Sequence, residues 1–179
     1  MNPPIPHKKM LSYDAIQRRV KSIGREITRD YQGKELVIIC ILKGATLFLG
    51  DLLKHIKLPV EVEFMSVSSY KGKTKSSGTA KIEYNFQTSI RYKHVLVVED
   101  IVDTGLTVRE IWETIQSKEP YSIGICTLLY RCTEKIDIPY IQYSGFDIGK
   151  GEFVIGYGLD YKGLYRNLPY IAILKSKDR

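Results

Sequence analysis

The feature that most limits what this chain can fold into is the passage from His94 to Ile115. Val95-Leu96-Val97-Val98 is an unbroken aliphatic run, the pattern of a strand buried on both faces of a parallel sheet. Glu99 and Asp100 follow where such a strand should surface, Asp103 stands three residues later, and Thr104-Gly105-Leu106-Thr107 forms a turn. Beyond the turn Val108, Ile111, Trp112 and Ile115 recur at i, i+3, i+4 and i+7, which predicts one apolar face of an amphipathic helix. Strand, acidic turn and helix start together make half of a nucleotide-binding unit.

A second unit of the same kind precedes it. Leu36-Val37-Ile38-Ile39-Cys40-Ile41-Leu42 is fully apolar, Lys43-Gly44 breaks it, and Ala45, Phe48, Leu49, Leu52, Leu53 and Ile56 trace a helical face. Repeated strand–loop–helix units predict an α/β fold with a central, mostly parallel sheet flanked by helices. Ligands of such sheets bind beyond the carboxyl ends of the strands, so Lys43-Gly44 should face the same cleft as the acidic turn.

The turn has a specific chemistry. A helix N-terminus offers unpaired N–H groups and the positive end of a dipole, which attract phosphate. Gly105 lets the backbone turn left-handed and approach an anion, and Thr104 and Thr107 add hydroxyl donors. Glu99, Asp100 and Asp103 would repel phosphate if they pointed at it. The pattern therefore suits a ligand with phosphate at one end and sugar hydroxyls or Mg²⁺ beside it. Taken alone, it also fits an acidic strand end before an ordinary helix. The turn itself has neither the Gly-Lys-Ser/Thr ending of a Walker A loop nor the three spaced glycines of a dinucleotide fingerprint.

Length and charge narrow the class. A chain of 179 residues predicts a single domain, 1–179, with a substantial core, and the net charge of +7 suits anionic ligands. Cys40, Cys126 and Cys132 lie scattered in or beside apolar runs, as packed reduced thiols do, which predicts a cytoplasmic protein. Met1 to His7 holds no apolar core for a signal peptide, and no run approaches membrane-spanning length.

Elsewhere, Pro3, Pro4 and Pro6 predict an extended arm. Ser12 reads as the N-cap of a helix with Ile16, Val20, Ile23 and Ile27 on its inner stripe, ended by Gly33. Val60 to Val67 reads as a strand, and Ser68 to Thr79 as a mobile loop with almost nothing to bury. Ser122 to Tyr130 is another buried strand ending at Arg131, Ile141 to Phe146 a short one, and Tyr170 to Leu174 the last. Phe153 after a turn is by itself an ordinary core aromatic, and Asp160 an ordinary surface acid.

Val97-Val98-Glu99-Asp100-Ile101-Val102-Asp103-Thr104-Gly105 resembles the phosphoribosyl-diphosphate (PRPP) motif of the type I phosphoribosyltransferases, and is close to their hypoxanthine-guanine branch. The resemblance runs from about Leu36 to Leu168 through several motifs in the correct order. It implies a small hood from about 145–179 with the N-terminal arm, and a lid loop over about 68–79 led by Ser69-Tyr70. The implied reaction joins a 6-oxopurine to PRPP, giving IMP or GMP and pyrophosphate with Mg²⁺. Thr104, Gly105, Leu106 and Thr107 would hold the 5′-phosphate. Glu99 and Asp100 would bind the ribose hydroxyls, directly or through Mg²⁺. Leu42-Lys43-Gly44 would bind pyrophosphate through its backbone, often across a non-proline cis peptide. Asp103 would be the general base at N7, and Arg166 would neutralise departing pyrophosphate. Phe153 would stack on the base, backbone groups around Val154 and Asp160 would read its edge, and the Asp160 carboxylate would ligate Mg²⁺.

Two positions depart from the family pattern, both on the base side. Arg131 stands where the family has a Lys that donates to the 6-oxo group, and Gly149-Lys150-Gly151-Glu152 replaces a shorter Pro-Asp turn. These departures raise a xanthine-preferring transferase as an alternative, and the basic charge raises a non-catalytic, PRPP-sensing RNA-binding regulator. The expected partners are PRPP, a 6-oxopurine and further copies of the chain in a homo-dimer or homo-tetramer, with no membrane and no nucleic acid.

Overall fold

The structure is a computed structural model, and it describes residues 7–68, 81–103, 105–131, 141–149 and 151–174. The element order is β1 (His7–Leu11), α1 (Tyr13–Asp30), β2 (Leu36–Leu42), α2 (Thr46–Leu53), β3 (Val60–Ser68), β4 (Lys81–Tyr84), β5 (His94–Val102), α3 (Leu106–Gln116), β6 (Ser122–Tyr130), β7 (Ile141–Asp147), β8 (Val154–Ile155) and β9 (Ile171–Leu174).

The aliphatic runs form the centre of a six-stranded sheet ordered β4-β3-β2-β5-β6-β7. Its pairs are parallel except β3 with β4. Alternate residues of β2 and β5 face opposite sides. Ile38, Cys40, Leu96 and Val98 pack under α1 and α2, while Val37, Ile39, Val95 and Val97 pack against α3. Both faces are covered, which explains why these strands carry no polar alternation.

Helix α1 starts where its cap predicts, with the Ala15 N–H donating to Ser12 Oγ at 3.3 Å, and it buries Ile16, Val20, Ile23 and Ile27. Each such burial contributes about 1.5–3 kcal/mol. The expected stop at Gly33 is corrected: the helix ends at Asp30, closed by the Tyr31 N–H on the Ile27 carbonyl, and Gly33 (φ 75°) turns the chain beyond it. The second helix is shorter than its apolar pattern, because Ile56, although buried, lies past its end at Leu53.

A separate antiparallel sheet, ordered β1-β9-β8, pairs residues near the start of the chain with those near its end. From β2 the chain moves to β3 on one side, and from β5 to β6 on the other. The sheet therefore reverses its winding between β2 and β5, where a parallel sheet opens a crevice at its carboxyl end. Among the described residues no helix is long and apolar enough to cross a membrane. Cys40 and Cys126 are free and buried, and burial pushes the Cys40 thiol up to about 12. Cys132 lies outside the described residues, as do the N-terminal prolines.

Candidate active site

The carboxyl ends of β2 and β5 open into a cleft of about 330 Å³. Leu42, Lys43 and Gly44 form one wall and Glu99 to Asp103 the other, with Gly105 and Thr107 at the foot of α3 and Asp160 and Arg166 arriving from the segment after β8. Most of the residues singled out in the sequence for sugar and pyrophosphate thus converge. Thr104, Ser69, Tyr70, the rest of the proposed lid and Lys150 lie outside the described residues.

The anion-binding end is built by Gly105, whose φ of 74° and ψ of −8° are left-handed and suit a residue without Cβ. Its carbonyl accepts the Arg109 N–H at 2.9 Å, which starts α3. Among the described residues no side chain caps this N-terminus and no acid stands in its first turn, so its positive end, with Gly105 and Thr107 lining the cleft, is left for an anion. Leu106 has its side chain 67% exposed, so it serves through its backbone place in that first turn.

The acids are arranged to meet positive charge. Glu99 is buried; its Oε1 accepts the Asp100 N–H at 3.0 Å, and Asp100 Oδ1 accepts the Ile101 N–H at 2.7 Å. Burial, and then the neighbouring Asp100 charge, hold the Glu99 carboxyl well above its ordinary value. Burial raises Asp100 too, against the opposing pull of its hydrogen bonds with Glu99 and Ile101 and of the Arg166 charge. Such a pair favours whatever brings donors or cations: sugar hydroxyls, or a divalent ion. Among the described residues no three His, Cys, Asp or Glu side chains form a closed metal cage. The donor set fits Mg²⁺, which takes one or two carboxylates and completes its shell with water and substrate phosphate.

The side expected to take pyrophosphate has three stacked layers. The Leu42–Lys43 peptide is cis, and Gly44 lies against the Asp100 carboxylate on one side and against Gly158 on the other. A Cβ on Gly44 would collide with Asp100, and a Cβ on Gly158 (φ 100°) with the Gly44 carbonyl. Arg166 spans the last layer, with Nη1 donating to the Gly158 carbonyl at 2.6 Å and Nη2 pairing with Asp160 Oδ1 at 2.7 Å. Asp160 Oδ2 accepts the Gly163 N–H at 2.7 Å, so both oxygens of this expected metal ligand are already engaged.

Sequence reasoning missed Gly158; its signal is the alternate glycines of Gly156-Tyr157-Gly158. It also missed the anchor beneath them. The Tyr157 hydroxyl donates to Asp51 Oδ2 at 2.7 Å, and Asp51 further accepts from Gln17 and Lys54. Although burial acts to raise it, hydrogen bonds from Lys54, Tyr157 and Gln17 hold the Asp51 carboxyl below its usual range.

The base-side residues lie beside the cleft and join it through Asp103. Arg131 Nη1 pairs with Asp103 Oδ2 at 3.2 Å, and Nη2 donates to the Glu152 carbonyl. Phe153 follows at once. It is not a core aromatic: it is 41% exposed, and the Tyr161 ring meets it edge-on at 5.7 Å. Val154, expected at the base, is buried with its side chain in the core and paired with Ile173. Tyr161 was not foreseen, since nothing local marks a residue eight positions away as the partner of Phe153.

With this geometry in place, comparison with known proteins is informative. Residues 10–162 match the phosphoribosyl transferase domain. A hypoxanthine-guanine phosphoribosyltransferase of Staphylococcus aureus is 47% identical over 167 residues, 93% of this chain and 92% of the relative. A crystal structure of a hypoxanthine-guanine phosphoribosyltransferase from Bacillus anthracis, with HEPES in its active site, superposes with a TM-score of 0.87 at 38% identity, covering 96% of this chain and 100% of the other. A hypoxanthine-guanine-xanthine phosphoribosyltransferase does so with a TM-score of 0.83 at 38% identity, covering 94% and 96%.

Proposed function

Since this chain belongs to the phosphoribosyl transferase domain family, we propose that it is a purine salvage enzyme moving the 5-phosphoribosyl group of PRPP to hypoxanthine or guanine, giving IMP or GMP and pyrophosphate. One observation carries this reading: a helix N-terminus started by Gly105, a buried carboxyl beside a half-buried one, and a guanidinium share one cleft of about 330 Å³. That is the sequence of charges along a sugar with phosphate at C5 and pyrophosphate at C1.

In the proposed reaction the first turn of α3, with Gly105, Thr107 and the Leu106 backbone, holds the 5′-phosphate. Glu99 and Asp100 accept hydrogen bonds from the ribose hydroxyls, and their field favours the positive charge developing on the ring in the transition state. Asp103 takes the proton from purine N7 as N9 forms its bond to the anomeric carbon. The bond from that carbon to pyrophosphate oxygen breaks, and its electron pair leaves with pyrophosphate. Arg166 and the Lys43-Gly44 backbone receive the leaving group. Phe153 stacks on the base, and Arg131 supplies charged donors on its 6-oxo side. Mg²⁺, held by Glu99, Asp100 and substrate phosphate, with Asp160 reached directly or through water, would supply charge neutralisation for pyrophosphate.

We place the working form as a homo-dimer or homo-tetramer. In support, Leu47 of α2 and Phe64 of β3 are 42% and 46% exposed on the sheet side that α1 and α2 cover. A cytoplasmic setting accords with the two buried free thiols.

The test is direct: incubate the protein with PRPP, Mg²⁺ and, separately, hypoxanthine, guanine, xanthine and adenine, and follow nucleotide by chromatography. IMP and GMP should form and AMP should not, because a guanidinium donates to a 6-oxo acceptor and finds none on a 6-amino group. No nucleotide from any base would remove the proposal. A preference for xanthine is the second reading, favoured by the forked cation of Arg131 beside the base site. The ratio of initial rates across the bases separates the two.

A further inference from the structure

Arg131, at the end of β6, and Glu152, just before β8, lie in separate segments of the chain, and the structure puts them in contact. The guanidinium is nearly enclosed, with its side chain 12% exposed, whereas the Asp103 side chain it grips is 44% exposed and stands on a turn. Nη2 is anchored on the Glu152 carbonyl, the Arg131 N–H donates to the Val102 carbonyl at 2.9 Å, and Nη1 reaches Asp103 Oδ2 at 3.2 Å. Nε is buried with no acceptor among the described residues. An unsatisfied buried donor is costly, so the side chain is held in this pose by its two outer nitrogens.

From this geometry we propose that Arg131 is a positioning residue for Asp103, and that the Gly149–Glu152 turn supplies the carbonyl that makes it one. The inference rests on the functional reading above and deepens it. A guanidinium is a rigid planar fork; fixed at one prong by Glu152, it sets the direction of the other. The carboxylate that is to receive the N7 proton is thereby aimed before the purine arrives. The same fork ties that carboxylate to the segment bearing Phe153, so proton acceptor and stacking ring move together. A Lys at this place would keep the charge and could still donate to a 6-oxo group. It would not keep a fixed angle between two acceptors.

The test is a kinetic cycle on Arg131→Lys, Asp103→Asn and the double variant, with hypoxanthine and PRPP as substrates. Arg131→Lys should lower kcat about tenfold or more, as misaimed reacting groups do, while the KM for PRPP stays within about twofold of wild type. In the Asp103→Asn background the same change should lower kcat by less than about twofold, because a residue acting through Asp103 has nothing left to aim. An Arg131→Lys enzyme with wild-type kcat overturns the proposal. So does a loss of equal size in both backgrounds, or one confined to the KM for hypoxanthine, which would make Arg131 a base-recognition group only. Arg131→Gln, measured in the same way, serves if the Lys variant does not fold. Absence of nucleotide formation by the wild type would instead fault the functional reading, and so the two failures are told apart.

Discussion

Gly44 and Asp100 touch so closely that no side chain fits between them: a Cβ on residue 44 would fall within the Asp100 carboxylate. Asp100 cannot retreat cheaply, since its Oδ1 holds the Ile101 N–H at 2.7 Å and its backbone N–H is committed to Glu99. Gly158 closes the stack from the other side, against the Gly44 carbonyl. The loop expected to take pyrophosphate and the acid expected to take ribose therefore share one boundary, and displacing either displaces both.

Gly44→Ala follows from that contact. The added methyl should push Asp100 out of register with the sugar and lower kcat/KM by about a hundredfold, the scale of a misplacement near 1 Å. Steady-state kinetics measures it, and a far smaller loss would mean that the layers slide freely. The fold should survive, because Gly44 has an ordinary φ and lies at a strand end.

Asp103→Asn separates chemistry from binding. Removing a proton acceptor costs about 10²–10⁴ in turnover, whereas the residues proposed for the 5′-phosphate and pyrophosphate are other residues of the cleft. Turnover should collapse while PRPP affinity, by calorimetry with Mg²⁺ present, stays within about threefold. Unchanged turnover would place the proton acceptor elsewhere.

The pH dependence of stability should carry the mark of Glu99. Its carboxyl is raised by burial and then by Asp100, so the folded state holds its proton more tightly than the unfolded chain does. Stability from this group is fully present below the unfolded value, near 4.5, and is lost as pH rises through the folded value. Asp51, Asp30 and Glu61 are shifted the other way and act in the acid range. The difference between wild type and Glu99→Gln reads Glu99 together with its effect on Asp100, which burial also raises. Thermal melts of the ligand-free protein from about pH 5 to 8 should show the variant gaining on wild type as pH rises. A constant or shrinking difference would contradict the assignment, and the variant should lose activity throughout.

Arg166→Lys tests the other end of the sugar. The guanidinium reaches the Gly158 carbonyl at 2.6 Å and Asp160 Oδ1 at 2.7 Å with different nitrogens, a geometry that a single ammonium does not reproduce. The KM for PRPP and the inhibition constant for pyrophosphate should each rise about tenfold, with the KM for hypoxanthine within about threefold. A selective rise for hypoxanthine would move Arg166 to the base side.

Much of this fold is legible in the sequence, and the reason is physical. The strands β2, β5 and β6 are buried on two faces, so their apolar runs admit few other readings, and the turn from Glu99 to Thr107 concentrates its chemistry in consecutive residues. What escapes sequence reasoning is set by distant partners. The sequence marks the end of α1 at Gly33, while the structure closes it earlier at Tyr31, whose ring packs into the core. Phe153 reads as core until its surroundings are known, because an aromatic after a turn looks the same buried or half bare. The contacts of Gly158 with Gly44, and of Arg131 with Asp103 and Glu152, join residues that no local pattern relates.

The separate antiparallel sheet has a consequence for how such an enzyme changes its diet. Under the proposed function, sugar-phosphate handling falls to the ends of β2 and β5, at the centre of the larger sheet, while Val154, with Phe153 just before it, belongs to a three-stranded outwork that packs on the main core through Val154 and Ile171. Drift in that outwork can exchange one nucleobase for another and leave the costly part of the machinery, the handling of an activated ribose, untouched.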